Sequence, residues 1–508
     1  MKHQRSKRKE EQEQKERTRN LVIGSIVAVL TLALVVWNRG FFQNSAAFTM
    51  DNQSFNANQV QLYYTDVMYS ALMGSYSPAE GGEAFDLSLS TDAQMYSSDE
   101  TWHDFISKEA CLALATSYHY MELAKSEGFE LPEEALAQLE STKEYLDTVW
   151  IGKTTTKKSY FNNYLGMSEE EYLAVEEMEL YANHYQLNVY ESFENTETEL
   201  EDYYEENQDS LDVIHYSQLQ YLYSEESNYD EDGVVIPFTE EEEAFYAGLK
   251  VMVSGEAESA STALQEGTSL EDVADAFGNY LNHSVINGTD PSSYFNGTSE
   301  VGAWLLDAER EDGDLALVED TSGSNVYYSV LQYHGRDRAE ELTVSVRHIL
   351  VAGNQEEPNV TPTEEQWAAS EIVAQEVLDT WVDSGLDLDV FSQLATENSA
   401  DSNTASYGGI IDAVTVYDNR DEEVLAWMMD SSRSDGDYTM IKDETSYPMG
   451  YQIIYFDSVG DPMWKYSADS ALREEKMIAW EDGIEEPLAA KITYGSALSS
   501  IPAQSFFG

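Results

Sequence analysis

Basic residues are scarce in this chain: 27 Lys and Arg stand against 96 Asp and Glu, a formal charge of −69 over 508 residues. A surface this acidic repels phosphate backbones, which argues against nucleic acid as a partner. Cysteine is scarcer still. The single Cys111 cannot form an internal disulfide, so the chain folds on its apolar core alone. The eight His include no His-x-x-x-His or His-Glu-x-x-His pair, and with one thiol this leaves no zinc-binding set. Glycine-rich phosphate loops and a Gly-x-Ser-x-Gly elbow are also missing. A calcium-loop pattern begins at Asn228, Asp230, Asp232 and Gly233, but its twelfth position is Thr239 and Pro237 interrupts it, so it reads as a solvated hairpin turn. Acidic runs such as Glu240 to Glu243 read as solvated faces or helix N-termini. No metal and no cofactor is expected.

What is present begins with an asymmetry. Residues 1–20 hold eight Lys/Arg and four Glu, so the rest of the chain is more acidic than the whole. Residues 21–37, LVIGSIVAVLTLALVVW, carry no charge and at 1.5 Å per helical residue just cross a thin bilayer. The basic residues before them, including Lys7, Arg8 and Lys9, place that end in the cytoplasm. The expectation is a basic cytoplasmic segment (1–20), a transmembrane anchor (21–38) at the cell membrane, and an extracytoplasmic remainder. A cleaved signal peptide, with Ser45-Ala46-Ala47 as the cleavage site, is the alternative.

With 42% hydrophobic residues, the remainder can supply cores for about three domains. Residues 48–210 read as mostly helical. Lys108 to Gly128 ends on a glycine cap, Leu131-Pro132-Glu133-Glu134 opens a further helix, and Ser168/Glu171 and Thr198/Glu201 carry capping-box spacing. Tyr and Leu at helical spacing read as core.

From Asp212 the pattern becomes strand, helix, strand, and it does so twice. VGAWLLDAEREDGDLALVED (301–320) and VLAWMMDSSRSDGDYTMIKD (424–443) share nine of twenty residues at an offset of 123, among them Trp304/Trp427 and Arg310/Arg433. Opening strands lie at 213–223 and 342–351, closing strands at 326–335 and 450–456, and Ser329 falls opposite Gln452. In the second copy Val344, Val346, His348 and Leu350 share one strand face. Thr361-Pro362-Thr363-Glu364 caps a helix carrying Ala369, Val373, Val377 and Trp381, and a further helix around Phe391 leads through Asp401 to Gly408-Gly409. Residues 463–508 hold a helix expected to pack back on the helical region.

His348 is the residue with chemical potential, with Asp401 and the closing strand as neighbours. Spacing alone leaves it either a satisfied core histidine or a functional one.

Three segments bear on the choice. Arg347-His348-Ile349-Leu350-Val351, then FSQLATENSADSNTASYGG (391–409), then GYQII (450–454) resemble the ordered motifs of the parvulin-type peptidyl-prolyl isomerases. LYYTDVMYSALM, after AFTMDNQSFNANQV, resembles the N-terminal chaperone module of the SurA and PrsA foldases. The resemblance implies an α+β chain: a transmembrane helix, a helical SurA-like chaperone domain (48–210), a degenerate parvulin-like domain (212–336), a parvulin-like isomerase domain (342–459) and a C-terminal helix (463–508).

It implies roles position by position. The family's opening-strand histidine matches His348, the acidic or cysteine position of its central loop matches Asp401, and Gln452 stands where its second histidine belongs. Gly408-Gly409 match its Gly-Gly pair, but the Asp-Leu-Gly that follows is absent. The pocket phenylalanine falls on Glu422, and a shift of a residue or two brings Val424 or Leu425 there; with Leu350, these are the expected substrate-binding residues. In the first copy Gln218 and Ser329 occupy the histidine positions, so that copy is read as non-catalytic, with His215 no substitute. The implied function is a membrane-anchored peptidyl-prolyl cis-trans isomerase assisting exported polypeptides, or a chaperone of the same fold without that activity. Its partners would be unfolded or proline-containing chains, and its acidity would keep clients soluble, attract basic ones, or reflect only an unusual ionic or acidic habitat.

Overall fold

The computed structural model describes residues 46–503 apart from 150–155, 162–166, 226, 230–234, 278–282, 296, 322–324, 355–356 and 358–359. The basic segment 1–20 and the apolar run 21–38 lie outside the described residues. Among the described residues, no helix is long and apolar enough to cross a membrane. The fold is a mixture of helices and antiparallel sheets of the α+β kind, in two compact units.

The first unit is largely helical, but it opens on a hairpin that helical periodicity did not suggest, β1 (Ala46–Met50) and β2 (Gln53–Asn56). Phe48 stacks on Phe55 across it at 4.6 Å. Asn56 then caps α1 (Ala57–Leu72), and Thr101 with Asp104 caps α2 (Trp102–Glu127), which ends on Gly128. Next come α3 (Glu133–Thr148), the short α4 (Lys157–Tyr160), and α5 (Glu169–Ser192), whose start is the expected Ser168/Glu171 box. Phe48, Tyr64, Met68, Trp102, Ile106 and Leu114 fill the core.

The second unit runs from Asn195 to Leu472, so the helical unit ends at Glu194 rather than at 210. Here α6 (Glu197–Glu206) and α7 (Gln208–Leu211) bury Leu200, Tyr204 and Leu211 against Val213, Ala339 and Trp464. Tyr204 donates to Asp212 at 2.6 Å and Arg338 forks onto Glu201, which fixes them there. The box that opens α6 is Thr196/Glu199, two residues before the expected Thr198/Glu201: Glu199 accepts the Thr196 amide at 2.7 Å, leaving Thr198 inside the first turn.

Two sheets follow. The first is built from β3 (Asp212–Tyr223), β6 (His283–Pro291), β7 (Leu315–Asp320) and β8 (Val326–Arg338). Between β3 and β6 lie the small hairpin β4 (Asn228–Tyr229)/β5 (Val235–Ile236), α8 (Glu240–Gln265) and α9 (Leu270–Phe277); α10 (Glu300–Leu306) precedes β7. The second has β9 (Leu342–Ala352), α11 (Glu364–Asp383), α12 (Leu388–Asn398), α13 (Ser402–Ala405), β10 (Ile410–Val414), α14 (Glu422–Met428), β11 (Tyr438–Asp443) and β12 (Gly450–Pro462). Their strand orders, β6-β3-β8-β7 and β10-β9-β12-β11, are the same. So is their register: Gln218 pairs with Leu331 as His348 pairs with Ile454. The duplication therefore extends from the phrase to the whole module.

In each module two helices cover one sheet face and a short helix covers the other. On α11 the buried face is Ser370, Ala374, Val377 and Trp381, while Ala369 points to solvent, because a 3.6-residue turn drifts off a strict four-residue step. The repeated phrase is a helix end and a turn. Arg310 lies over the Trp304 ring at 4.9 Å and Arg433 over Trp427 at 4.6 Å. Gly313 and Gly436 donate to Tyr333 and Phe456 as the chain enters β7 and β11.

The last helix is α15 (Met463–Ala489). From Arg473 its residues belong to the helical unit, where Trp480 stacks on Tyr120 at 5.1 Å, and β13 (Thr493–Tyr494) then pairs with β1.

Candidate functional site

Alternation along β9 puts Val344, Val346 and His348 on the sheet face covered by α14, with Ile349 and Val351 facing α11 and α12. His348 is 2% exposed, and every polar atom of its ring has a partner. Nδ1 is 2.8 Å from Gln452 Oε1, reaching diagonally across the β9–β12 ladder. Nε2 is 3.0 Å from Asp401 Oδ2 and 2.8 Å from Thr404 Oγ1, which also lies 3.0 Å from that carboxylate oxygen.

Gln452 orients one edge of the ring. Its Nε2 donates at 3.1 Å to the buried Asp443, so its Oε1 faces His348 and can only accept. Nδ1 therefore carries hydrogen. Asp443 is itself held by the amides of Thr445 and Ser446. A polar chain thus crosses the sheet from Asp401 through His348 and Gln452 to Asp443.

Asp401 arrives as the cap of α13, accepting the Asn403 amide at 3.1 Å. Burial pushes its carboxyl up, but the hydrogen bond and charge of His348, with help from Asn403 and Thr404, outweigh this and hold it well below the usual carboxylate range. Gly409 sets the backbone. It has φ +78°, accepts the His348 amide at 2.8 Å, and leaves no room for a Cβ beside the His348 carbonyl.

The structure brings Asp401 and Gln452 each within hydrogen-bond reach of His348, at opposite nitrogens of its ring. Val424 is buried among Val344, Val346, Met428, Ile441, Ile454 and Phe456, with Leu425 half-buried against that cluster, while Leu350 lies over Gly450. Sequence reasoning missed Thr404 and Asp443. Asp443 had left a signal, since it closes the repeated phrase and is matched by Asp320, also buried.

In the first module the pair equivalent to His348 and Gln452 is Gln218 donating to Ser329 at 2.9 Å, a buried contact without a titratable ring. His215 lies on the opposite strand face, between Thr289 and Asp337.

The chain matches no protein-family profile and no curated protein. Among solved structures it is similar to the peptidylprolyl isomerase PrsA from Bacillus anthracis, with 19% identity, a TM-score of 0.17, and coverage of 30% of this chain and 61% of the other. PrsA from Bacillus subtilis gives 20%, 0.17, 31% and 48% in the same order, and the foldase protein PrsA from Streptococcus pneumoniae gives 20%, 0.17, 32% and 55%. Each similarity spans less than two thirds of the other protein.

Proposed function

We propose that this chain is a foldase whose second module isomerises X-Pro peptide bonds, anchored at the membrane by residues 21–37 and acting on unfolded exported polypeptides. The supporting observation is the buried His348 ring held between Asp401 and Gln452. Rotation about a peptide bond faces about 18–20 kcal/mol, and the catalyst need form no covalent bond. It must favour the twisted amide with fixed polar groups beside an apolar surface. A ring that is 2% exposed suits this role and would not suit a nucleophile. The end of the network that reaches solvent is Asp401, its side chain 23% exposed, with the partly buried Thr404. These two groups would meet the substrate, with His348 as the residue that positions them. The half-buried Leu425 is the proposed apolar contact, whereas Leu350 and Val424 are buried.

A second reading is a chaperone of the same fold without isomerase activity. It is favoured by Gln452, which cannot titrate, and by the Gln218–Ser329 pair in the sister module. A proline-tetrapeptide isomerisation assay with the full chain decides. Acceleration that His348→Ala abolishes supports the enzyme. No acceleration, with client aggregation still suppressed, leaves the chaperone.

A further inference from the structure

The helix α8 carries an apolar stripe on its solvent side. Phe245, Val251 and Met252 are 63%, 72% and 46% exposed, and Ala244 and Gly248 beside them are exposed as well. They recur at the three- and four-residue steps of one helix face, opposite the buried Val253, Ala257, Ala260 and Leu264. On this first module the stripe lies in an acidic surround: Glu240 to Glu243 precede it, Glu258 flanks its far end, and Lys250, the one basic residue of α8, is held by Glu319 at 3.3 Å.

The sister helix is an internal control. Aligned on their caps Thr239 and Thr363, α8 and α11 bury matching positions, Val253/Val377 and Ala257/Trp381. On the outer face the counterparts of Val251, Met252 and Gly255 are Gln375, Glu376 and Asp379, although Gly248 corresponds to the exposed Ile372. Ala244 and Phe245 correspond to the exposed Ala368 and Ala369, so it is around Val251 and Met252 that the scaffold does not require an apolar outer face.

Two glycines point the same way. Gly248 and Gly255 sit inside α8 on the stripe, where a Cβ would meet nothing within 4 Å. Packing within the chain does not call for them, and each lowers helix propensity by about 1 kcal/mol relative to Ala. Their use is to let another backbone approach the helix closely.

The geometry points to α8 as a docking surface for a cationic, apolar segment of an unfolded polypeptide, a client-holding site on the module that lacks the histidine network. The inference rests on the foldase reading above and names the chemistry of its clients. Charge decides the occupant. A second copy would bring Glu240–Glu243 against another acidic surface, and an anionic membrane would meet the same repulsion. A segment with Leu-like side chains and Lys or Arg at its flanks buries the stripe and pairs with its rim.

The test titrates the full chain with a fluorescein-labelled amphipathic peptide of Leu and Lys, and with its Glu-for-Lys counterpart, by fluorescence anisotropy. The Lys peptide should bind, should weaken between about 50 and 500 mM salt, and should bind at least about tenfold more tightly than the Glu peptide. Val251→Gln with Met252→Glu installs the sister helix's own residues and should weaken binding about tenfold. Gly248→Gln should raise thermal stability while weakening binding, a pair of signs that unfolding cannot produce. Tetrapeptide isomerisation should be unaltered in these variants, so loss of the enzyme reading and loss of this one are separately visible. Unchanged peptide binding in both variants overturns the proposal. So does a dimer in sedimentation velocity that Val251→Gln with Met252→Glu dissolves, since the stripe then holds a second copy.

Discussion

His348 Nδ1 and Gln452 Oε1 are 2.8 Å apart, and the other end of the same amide is 3.1 Å from Asp443. One side chain thus joins a ring on β9 to a carboxylate on β11, and its polarity is dictated from the carboxylate end. Glutamine does here what a second histidine would do geometrically, holding Nδ1–H in place without offering a site that titrates.

Gln452→Leu should destabilise the second module by about 2 kcal/mol, because it removes the buried partner of both the Nδ1–H group and the Asp443 Oδ2 oxygen, whose other oxygen keeps the Thr445 and Ser446 amides. The equivalent change in the first module, Ser329→Ala, strips one partner from the neutral Gln218 and should cost about 1 kcal/mol. Denaturant midpoints of the two variants measure the difference. Equal losses would show that Asp443 is not relying on Gln452.

Asp401 makes stability depend on acidity. Its carboxyl is held below the ordinary value of 3.8, so the unfolded chain takes up protons first as pH falls. The contribution is therefore present above about pH 4 and is lost as pH drops below it. Asp401→Asn should cost about 2 kcal/mol at pH 6, with the gap to the wild type closing towards pH 2. A gap that stays constant over this range would remove the charge interaction with His348.

Asp66 in the helical unit has the opposite sign. Burial, and then the nearby Glu176, raise its carboxyl to about 7. The folded chain keeps that proton after the unfolded chain has lost it, so stability declines as pH rises from about 4 to about 7. Asp66→Asn should raise the melting midpoint at pH 8 and leave it nearly unchanged at pH 4. Calorimetry at the two pH values reads the effect, and a lower midpoint at pH 8 would sink the assignment.

Much of the second unit was legible because duplication doubles the signal. The phrase around Trp304 and Trp427, the alternation of Val344, Val346 and His348, and the cap Thr363 each have a local physical cause. The boundary at Glu194 was hidden, since α6 looks like the helices before it and is claimed by the β-modules through the packing of Leu200 and Tyr204 against Ala339 and Trp464 and the fork of Arg338 onto Glu201, contacts distant in sequence. The β1–β2 hairpin was missed for a similar reason: its pairing with β13 spans most of the chain. Of the site, His348, Asp401 and Gln452 were readable through resemblance, whereas Thr404 matters only because α13 turns it towards the ring. The burial of Val424 depends on α14 packing and leaves no mark on spacing.

The repeated phrase supplies the sharpest separation of scaffold from site. Gly313 and Gly436 have φ of +91° and +93° and open space where a Cβ would stand, so replacing either by Ala carries a backbone cost of about 1 kcal/mol and no clash. Because both glycines donate to the closing strand in the same way, Gly313→Ala and Gly436→Ala should destabilise their own modules about equally. Hydrogen exchange at the Tyr333 and Phe456 amides, which pair with Asp314 and Asp437, reports each module separately. If the phrase is scaffold in both copies, neither change touches the proposed proline isomerisation under conditions where the modules stay folded. Loss of isomerisation in Gly436→Ala with unaltered exchange would instead make that turn part of the site, and the symmetry between the two copies would then be structural only.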